Sequence, residues 1–196
     1  MDIKKHCPSQ GFGWDNFSFK NHGFTLLELL VTLAIASVLA AISFPSLSAM
    51  LSQNRMVVTT NQLAGALAYA RSEAVMRGEN VVTCHSINQT KCHRSQYWNG
   101  SYIIFVDSNR NRLREPEEQL LRVYVDSNND TQIELSASGR AIEYYMRYLP
   151  TGEAYPNGTF RICSSSSNSR NALIMTQSGR LRLSKTMRDG YPITCN

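Results

Sequence analysis

The positive charge of this 196-residue chain is concentrated at its C-terminal end. Residues 160–196 hold six basic side chains against one acidic side chain, a net charge of +5. Residues 24–159 hold 11 basic and 12 acidic side chains, a net charge of −1. A clustered basic strip is the electrostatic feature of a protein that binds a phosphate backbone. The distribution therefore makes a phosphate backbone, such as that of double-stranded DNA, a candidate partner, bound in a way that depends on salt and hardly on base sequence.

Two of these basic residues lie at strand spacing. In the run Gly179-Arg180-Leu181-Arg182, the two arginines are two residues apart, so a strand places both side chains on one face. The glycine permits a turn that presents them together. The predicted DNA-binding residues are Gly179, Arg180, Arg182, Lys185, Arg188 and Arg170. The alternative is that this basic strip packs against a neighbouring subunit, because basic surface strips are common.

A second group of polar residues has the spacing of a calcium loop. Asp107, Asn109, Asn111 and Glu118 stand at its first, third, fifth and twelfth positions. The sixth position should be glycine and is Arg112, so we predict a polar hairpin turn there instead. Catalytic patterns such as a Ser/His/Asp constellation, a phosphate loop or paired carboxylates do not stand out. We therefore expect no catalytic residue, no metal and no cofactor, and a protein that is not an enzyme.

The N-terminal part contains a long apolar stretch. Residues 29–54 carry no charge, and residues 24–51 are long enough to span a hydrocarbon core, which takes about 20 apolar residues in a helix. A lysine-bearing segment precedes the stretch, which favours a cytoplasmic location for that segment. Glu28 lies inside the stretch, where a carboxylate costs roughly 2.5–3.5 kcal/mol and usually has a partner. A secretory signal peptide is the alternative, with its apolar region before the cleavage site.

The residues at the start of this stretch resemble the class III signal of type IV prepilins and type II secretion pseudopilins. The resemblance rests on Gly23, Phe24, Thr25, Leu26 and Glu28, followed by the apolar run with Pro45. It implies that a prepilin peptidase cuts after Gly23 and methylates Phe24. It also implies that Glu28 pairs with the N-terminal ammonium of a neighbouring subunit during assembly. The implied partners are other pilins, the peptidase, an inner-membrane assembly platform and, before assembly, membrane lipid.

The cysteine count agrees with cleavage at that glycine. Of five cysteines, Cys7 lies in the leader, and an even set of four follows it. Two disulfides in an oxidising periplasm are the expected use of that set. Three connectivities are possible, and we favour Cys84–Cys92 and Cys163–Cys195. The pairs Cys84-His85 and Cys92-His93 also suggest zinc, which the periplasmic setting makes the less favoured interpretation.

The periodicity divides the chain into four parts and predicts an α+β fold. Residues 1–23 form the cleaved leader, 24–51 a transmembrane and fibre-core helix, 52–78 its amphipathic continuation, and 79–196 a β-rich domain with a basic tail. The apolar face of the helix is assigned to Leu47, Leu51, Val58, Leu63, Leu67, Ala70 and Ala74, with Gly78 as the C-cap. The predicted strands are Asn80–Ser86, Ser101–Asp107, Gln119–Tyr124, Thr131–Leu135, Arg140–Tyr148, Thr159–Cys163, Ala172–Thr176 and Leu181–Ser184. Turn chemistry between them favours an antiparallel sheet packed on the long helix.

The β-rich part is similar to the globular domain of the GspH/FimT-type minor pilins. The similarity rests on the runs 98–100, 104–111, 149–152 and 160–163, on Glu118 and residues 120–122, and on residues 178–180. The run Gly179-Arg180-Leu181-Arg182 resembles the Gly-Arg-x-Arg motif of FimT minor pilins that bind DNA in natural transformation. The resemblance implies a DNA-binding minor pilin, first in the inner membrane with a periplasmic domain and then in the pilus. The alternative is a structural minor pilin or a type II secretion pseudopilin without DNA binding.

Overall fold

The computed structural model describes residues 23–125, 130–137, 144–166 and 168–195. The chain forms two compact units, Met1–Ile42 and Ser43–Asn196. The described side chains of the first unit are all exposed, and residues 1–22 of the predicted leader lie outside the described residues. Over the described residues, no helix combines the length and the apolar character needed to cross a membrane. The transmembrane span predicted for residues 24–51 is therefore not confirmed.

A single helix, α1, runs from Leu26 to Arg77. Thr25 begins it as the N-cap, because its Oγ1 accepts a hydrogen bond from the backbone N–H of Glu28 (3.2 Å). Gly78 ends it with φ of 68°, and its N–H donates to the carbonyl of Ala74 (3.0 Å). The predicted C-cap is therefore confirmed.

The buried face of α1 in the second unit differs in part from the predicted face. Leu63, Leu67, Ala70 and Ala74 are buried as expected, but Val58 is 62% exposed, and Leu47 and Leu51 are also exposed. Val58 lies five residues before Leu63, which at 3.6 residues per turn places it roughly 140° around the helix. The buried positions before Leu63 are instead Ser52, Met56, Thr59 and Thr60. The assignment of Leu47, Leu51 and Val58 to the buried face was wrong, because it followed residue type and ignored phase.

Among the described residues, nine strands follow the helix and form two antiparallel sheets. The strands are β1 Val81–His85, β2 Ser101–Val106, β3 Leu120–Val125, β4 Thr131–Ala137, β5 Tyr145–Tyr148, β6 Ala154–Tyr155, β7 Gly158–Ser164, β8 Arg170–Met175 and β9 Leu181–Ser184. Sheet A has the order β3-β2-β1-β5-β6, and sheet B has the order β4-β7-β8-β9. The α+β class and the antiparallel pairing are confirmed, and the single predicted sheet is in fact two.

One main core joins both sheets to the helix within the second unit. Apolar side chains of sheet A and sheet B pack with Met56, Leu63 and Leu67 of the helix in a single buried cluster. Trp98 and Phe160 meet edge to face in this core, with ring centroids 5.1 Å apart. The helix therefore lies on the inner face of both sheets. The opposite face of sheet B does not contact the helix and carries a separate small cluster of buried residues.

Most strand predictions agree with the structure. β9 has the predicted bounds, and the other matching strands differ by at most a few residues at either end. The two-residue strand β6 was missed, because so short a run has no alternation to detect. The first part of the predicted strand Arg140–Tyr148, residues 140–143, lies outside the described residues.

Candidate nucleic-acid interface

The predicted arginine pair lies at the free edge of sheet B. β9 is an end strand that pairs only with β8, and Arg182 lies opposite Ile174 in that pairing. Ile174 belongs to a small outer cluster with Cys163, Ala172 and Ile193, on the face of the sheet away from the helix. Because opposite residues of paired strands project to the same face, Arg182 projects to the outer face. Both arginines are exposed, but Arg180 precedes the first residue of β9 and lines a groove with Arg71 and Met76 of α1. The prediction that strand alternation places both side chains on one face is therefore not confirmed.

The turn before the pair is held by the helix. Gly179 has φ of 75°, and its N–H donates to the carbonyl of Thr176 (3.0 Å). Arg71 of α1 donates from Nε to the carbonyl of Gly152 (2.9 Å) and from Nη2 to the carbonyl of Ser178 (2.9 Å). A Cβ on Gly179 would lie 2.1 Å from the carbonyl oxygen of Gly152. The glycine is therefore required by close backbone packing, and this packing positions Arg180.

Three of the predicted DNA-binding side chains make no hydrogen bond or ion pair with the described residues of the domain. In the part of the chain that the structure describes, the guanidinium groups of Arg180, Arg182 and Arg188 have no hydrogen-bond or ion-pair partner. All three residues are exposed. We call them the free arginines. A cation that contributes nothing to intramolecular contacts keeps its full capacity to bind an external anion.

The other two predicted cations have structural partners. Arg170 donates from Nη1 to the carbonyl of Ile193 (2.9 Å) and from Nη2 to Oδ1 of Asn168 (2.6 Å). The ammonium of Lys185 donates to Oδ1 of Asn171 (2.7 Å), whose own amide donates to Thr60 of the helix (3.2 Å). Lys185 also has the parity of Leu181, which faces the main core. The structure therefore brings Arg170 to the outer face but separates Lys185 from it.

The C-terminal tail is fixed across the outer face of sheet B. A disulfide joins Cys163 to Cys195, with 6.0 Å between their Cα atoms. Ile193 is 2% exposed and packs in the outer cluster, with Met187 against it. Arg161 of β7 also reaches the tail, donating to the carbonyl of Thr194 (3.5 Å), and forms an ion pair with Glu134. The tail is thus a bound element of the domain.

The second disulfide joins Cys84 to Cys92 and closes a short loop. Both favoured pairings are therefore confirmed, and these four thiolates do not serve as zinc ligands. His85, beside Cys84, places Nε2 2.9 Å from the carbonyl of Asn99, and burial lowers its pKa below the ordinary 6.5. Among the described residues, no group of three or more His, Cys, Asp or Glu side chains is arranged to hold a metal ion.

The loop with calcium-like spacing uses its polar groups on itself. Asp107 Oδ1 accepts from the backbone N–H of Arg112 (3.2 Å), and Glu118 accepts from the N–H groups of Ser108 and Glu115 (3.1 Å each). Asn111 donates to Glu115 (2.9 Å). These contacts describe a polar turn of the kind that the sequence predicts.

At the other end of the described chain, Gly23 and Phe24 precede the helix, and Phe24 is 81% exposed. Thr25 and Glu28 stand at the N-cap and N3 positions of α1, the spacing of a capping box. Glu28 also lies in the first turn, where the helix dipole favours negative charge. Sequence reasoning missed this local role, although the Thr-x-x-Glu spacing signals it. Arg71 was also missed, and no signal in the sequence separates it from other surface arginines of a helix.

Comparisons with known proteins agree with this architecture. The family model for the type II transport protein GspH matches residues 59–179, and the model for the prokaryotic N-terminal methylation motif matches residues 18–44. The pilin-like protein PilA1 of Thermus thermophilus is 29% identical over 168 residues, which cover 82% of this chain and 97% of PilA1. The crystal structure of the type IV minor pilin FimU of Pseudomonas aeruginosa has a TM-score of 0.51 at 17% identity, over 67% of this chain and 90% of FimU. At that identity the FimU match shows a shared fold.

The GspH match covers more than half of the chain and, with the methylation motif, settles the class of protein. Pilins and pseudopilins of this class are structural proteins and not enzymes. The methylation motif implies a membrane-anchored precursor, processing by a prepilin peptidase and assembly with other pilins in a pilus or pseudopilus. The chain belongs to the GspH family of pilins and pseudopilins.

Proposed function

We propose that this protein is a minor type IV pilin that binds extracellular double-stranded DNA and supports DNA uptake in natural transformation. The observation that carries the proposal is the set of free arginines, Arg180, Arg182 and Arg188, on an edge and a tail that the rest of the domain holds in place. In an extended chain, Cα atoms two residues apart, such as those of Arg180 and Arg182, are separated by roughly 7 Å. A DNA strand offers about one phosphate per 3.4 Å of helix axis, so both groups reach phosphates of one backbone.

The rigidity of the edge favours binding. Arg71 fixes the turn that precedes Arg180, and pairing with β8 fixes the backbone of Arg182. Only side-chain freedom is then lost when phosphates bind, which lowers the entropic cost of association. Contacts to phosphates carry no base information, so the affinity depends on ionic strength and hardly on sequence. Arg170 adds positive potential to the outer face while it keeps its structural partners, whereas Lys185 stays bonded to Asn171 away from that face.

In this proposal, the N-terminal part of the chain mediates processing and assembly into the fibre. The precursor lies in the inner membrane with its C-terminal domain in the periplasm, and the peptidase cuts after Gly23 and methylates Phe24. Glu28 then pairs with the terminal ammonium of a neighbouring pilin as the assembly platform moves the subunit from lipid into the fibre. Support comes from the methylation motif over residues 18–44. Glu28→Ala should impair incorporation into fibres and leave DNA affinity unchanged, and normal incorporation of that variant would contradict the pairing.

A second candidate is a structural minor pilin or type II secretion pseudopilin without DNA binding. An open groove of about 590 Å³ beside β9 favours it. Apolar groups of Ala68, Val75, Met76 and Leu181 line the groove, and Met76 is 72% exposed. Arg180 also lines this groove, so a neighbouring subunit could use both the apolar surface and the charge.

Fluorescence anisotropy with duplex DNA, on the full chain in a non-ionic detergent, separates the two candidates. Arg180→Gln with Arg182→Gln should weaken binding about tenfold or more at low salt, and the slope of log K against log salt should fall by about 2. Arg94→Gln with Arg110→Gln is the matched control, since it removes the same charge from exposed arginines outside sheet B. Absence of salt-dependent binding by the wild type, or equal effects of the two double variants, would favour the structural candidate.

A further inference from the structure

The C-terminal tail carries a small hairpin around Arg188. Thr186 and Pro192 form an antiparallel bridge, and the N–H of Met187 donates to the carbonyl of Tyr191 (2.8 Å). Gly190, at φ of 87°, closes the turn by donating to the carbonyl of Met187 (3.1 Å). We call residues 186–192 the tail hairpin.

Both ends of the tail hairpin are anchored. Met187 packs against the outer cluster on one side, and Ile193 is buried in that cluster on the other. The bond from Arg170 to the carbonyl of Ile193 and the Cys163–Cys195 disulfide fix the residues that follow. The hairpin is therefore held as a rigid projection.

The hairpin carries an exposed aromatic ring and an exposed cation three residues apart in the chain. Tyr191 is 70% exposed, more than the other exposed tyrosine recorded for the domain, Tyr155 at 48%. Arg188 is one of the free arginines. The carboxylate of Asp189 accepts the backbone N–H of Tyr191 (3.2 Å), so it serves the turn. An exposed ring on a fixed backbone leaves apolar surface in water, which is unfavourable unless a partner covers it.

We propose that the tail hairpin binds unpaired bases at DNA ends, with the Tyr191 ring stacked on a base and Arg188 on the neighbouring phosphate. This inference rests on the proposed DNA binding and names the form of DNA that the site prefers. The bases of a duplex interior are stacked on each other, so their faces are closed to a ring, whereas a single-stranded end exposes them. Stacking of a base on an aromatic side chain is tolerant of sequence and adds a contribution that is not ionic.

The test compares a blunt duplex with the same duplex carrying a single-stranded overhang, by anisotropy on the full chain in detergent. Wild type should bind the overhang duplex at least about fivefold more tightly, the lower end of one base–aromatic stack. Tyr191→Ala and Tyr191→Leu should abolish that preference and leave the blunt-duplex affinity unchanged, because only the ring supplies a stacking face. Tyr191→Phe should keep the preference. Ile87→Ala, at a residue 69% exposed in the Cys84–Cys92 loop, is the control for loss of exposed apolar surface and should keep it too.

Arg188→Gln gives a separate readout. It should lower the salt slope by about 1 on the overhang duplex, whereas Tyr191→Ala should leave the slope unchanged. Wild type that binds both duplexes equally, or Tyr191→Ala that weakens both by the same factor, would overturn this inference and leave the proposed DNA binding intact. Wild type that binds neither duplex would overturn the proposed function itself.

Discussion

Arginines beside sheet A and arginines at the edge of sheet B are used differently. Beside sheet A, three arginines place the guanidinium carbon over a tyrosine ring: Arg112 over Tyr145 at 5.4 Å, Arg122 over Tyr69 at 4.6 Å and Arg147 over Tyr155 at 5.4 Å. At the edge of sheet B, Arg180 and Arg182 have neither a ring nor an acid as partner among the described residues. The first set stabilises the fold through cation–π contacts, and the second does not contribute to it in this way.

The difference shows why charge content alone is a poor guide to a binding site. The C-terminal segment holds six cations, yet Arg161, Arg170 and Lys185 fix the tail and the strand. The remaining three, the free arginines, are the candidates for an external anion. An arginine with intramolecular partners loses those contacts if it turns to DNA, so its replacement should change stability more than affinity. A free arginine should show the opposite pattern.

The largest expected effect concerns the disulfide that holds the tail. Cys163→Ser with Cys195→Ser should lower the free energy of unfolding by about 3–4 kcal/mol in chemical denaturation, because the closed loop spans 32 residues. It should also weaken DNA binding, since the tail hairpin with Arg188 loses its anchor. Cys84→Ser with Cys92→Ser is the control, and its loop of 8 residues predicts a smaller loss and unchanged affinity. Equal affinity for both double variants would show that the tail has no part in the site.

The next effect concerns the turn before the arginine pair. Gly179→Ala should cost roughly 3 kcal/mol of stability, because the new Cβ meets the carbonyl of Gly152 at 2.1 Å in a backbone conformation of positive φ. Gly190→Ala is the matched control, with φ of 87° and no atom within 4 Å of the new Cβ, and should cost about 1 kcal/mol. Differential scanning calorimetry of both variants gives the comparison. Similar losses would mean that backbone conformation, and not the contact with residue 152, fixes the glycine.

A smaller effect separates the two sets of arginines. Arg122→Gln should lower stability slightly, because it removes the contact of the guanidinium group with the Tyr69 ring, and leave DNA affinity unchanged. Arg182→Gln should leave stability within about 0.5 kcal/mol of wild type and weaken DNA binding. Denaturation and anisotropy on the same two samples measure both quantities. Weaker DNA binding by Arg122→Gln would remove the distinction between the two regions.

The smallest expected effect is a pH dependence confined to sheet A. Burial lowers the pKa of His85 below 6.5, so the unfolded chain takes up a proton before the folded chain does. Stability is therefore complete above about pH 6.5 and declines as the pH falls through the window between the two pKa values. His85→Gln should remove this decline, and His93→Gln, at an exposed position, should keep it. Sheet B contains no histidine, so DNA affinity should stay constant over the same window.

The predictable features are those set by neighbours in sequence. The end of α1 at Gly78, the bounds of β9 and the pairing of four cysteines follow from local chemistry and parity. The failures concern contacts between distant residues, which local patterns do not contain. Arg71 reaches residues 152 and 178, more than 80 positions away, and the division into two sheets depends on which strands pair.

Lys185 and Val58 are further residues whose position the local sequence pattern did not predict correctly. Each was grouped by residue type with its neighbours, and each lies on another face once the phase of its element is fixed. Residues of one type that are close in sequence share a surface only when their spacing matches the repeat of the helix or strand that carries them.

Arginine footprinting with a dicarbonyl reagent and mass spectrometry tests the central claim most directly. In the protein alone, Arg180, Arg182 and Arg188 should react faster than Arg112, Arg122 and Arg147, because ring contacts shield the second set. Addition of duplex DNA should protect the three free arginines and leave the exposed Arg94 and Arg110 reactive. Protection of the sheet A arginines instead, or no protection anywhere at saturating DNA, would contradict the assignment of the sheet B edge as the DNA-binding surface.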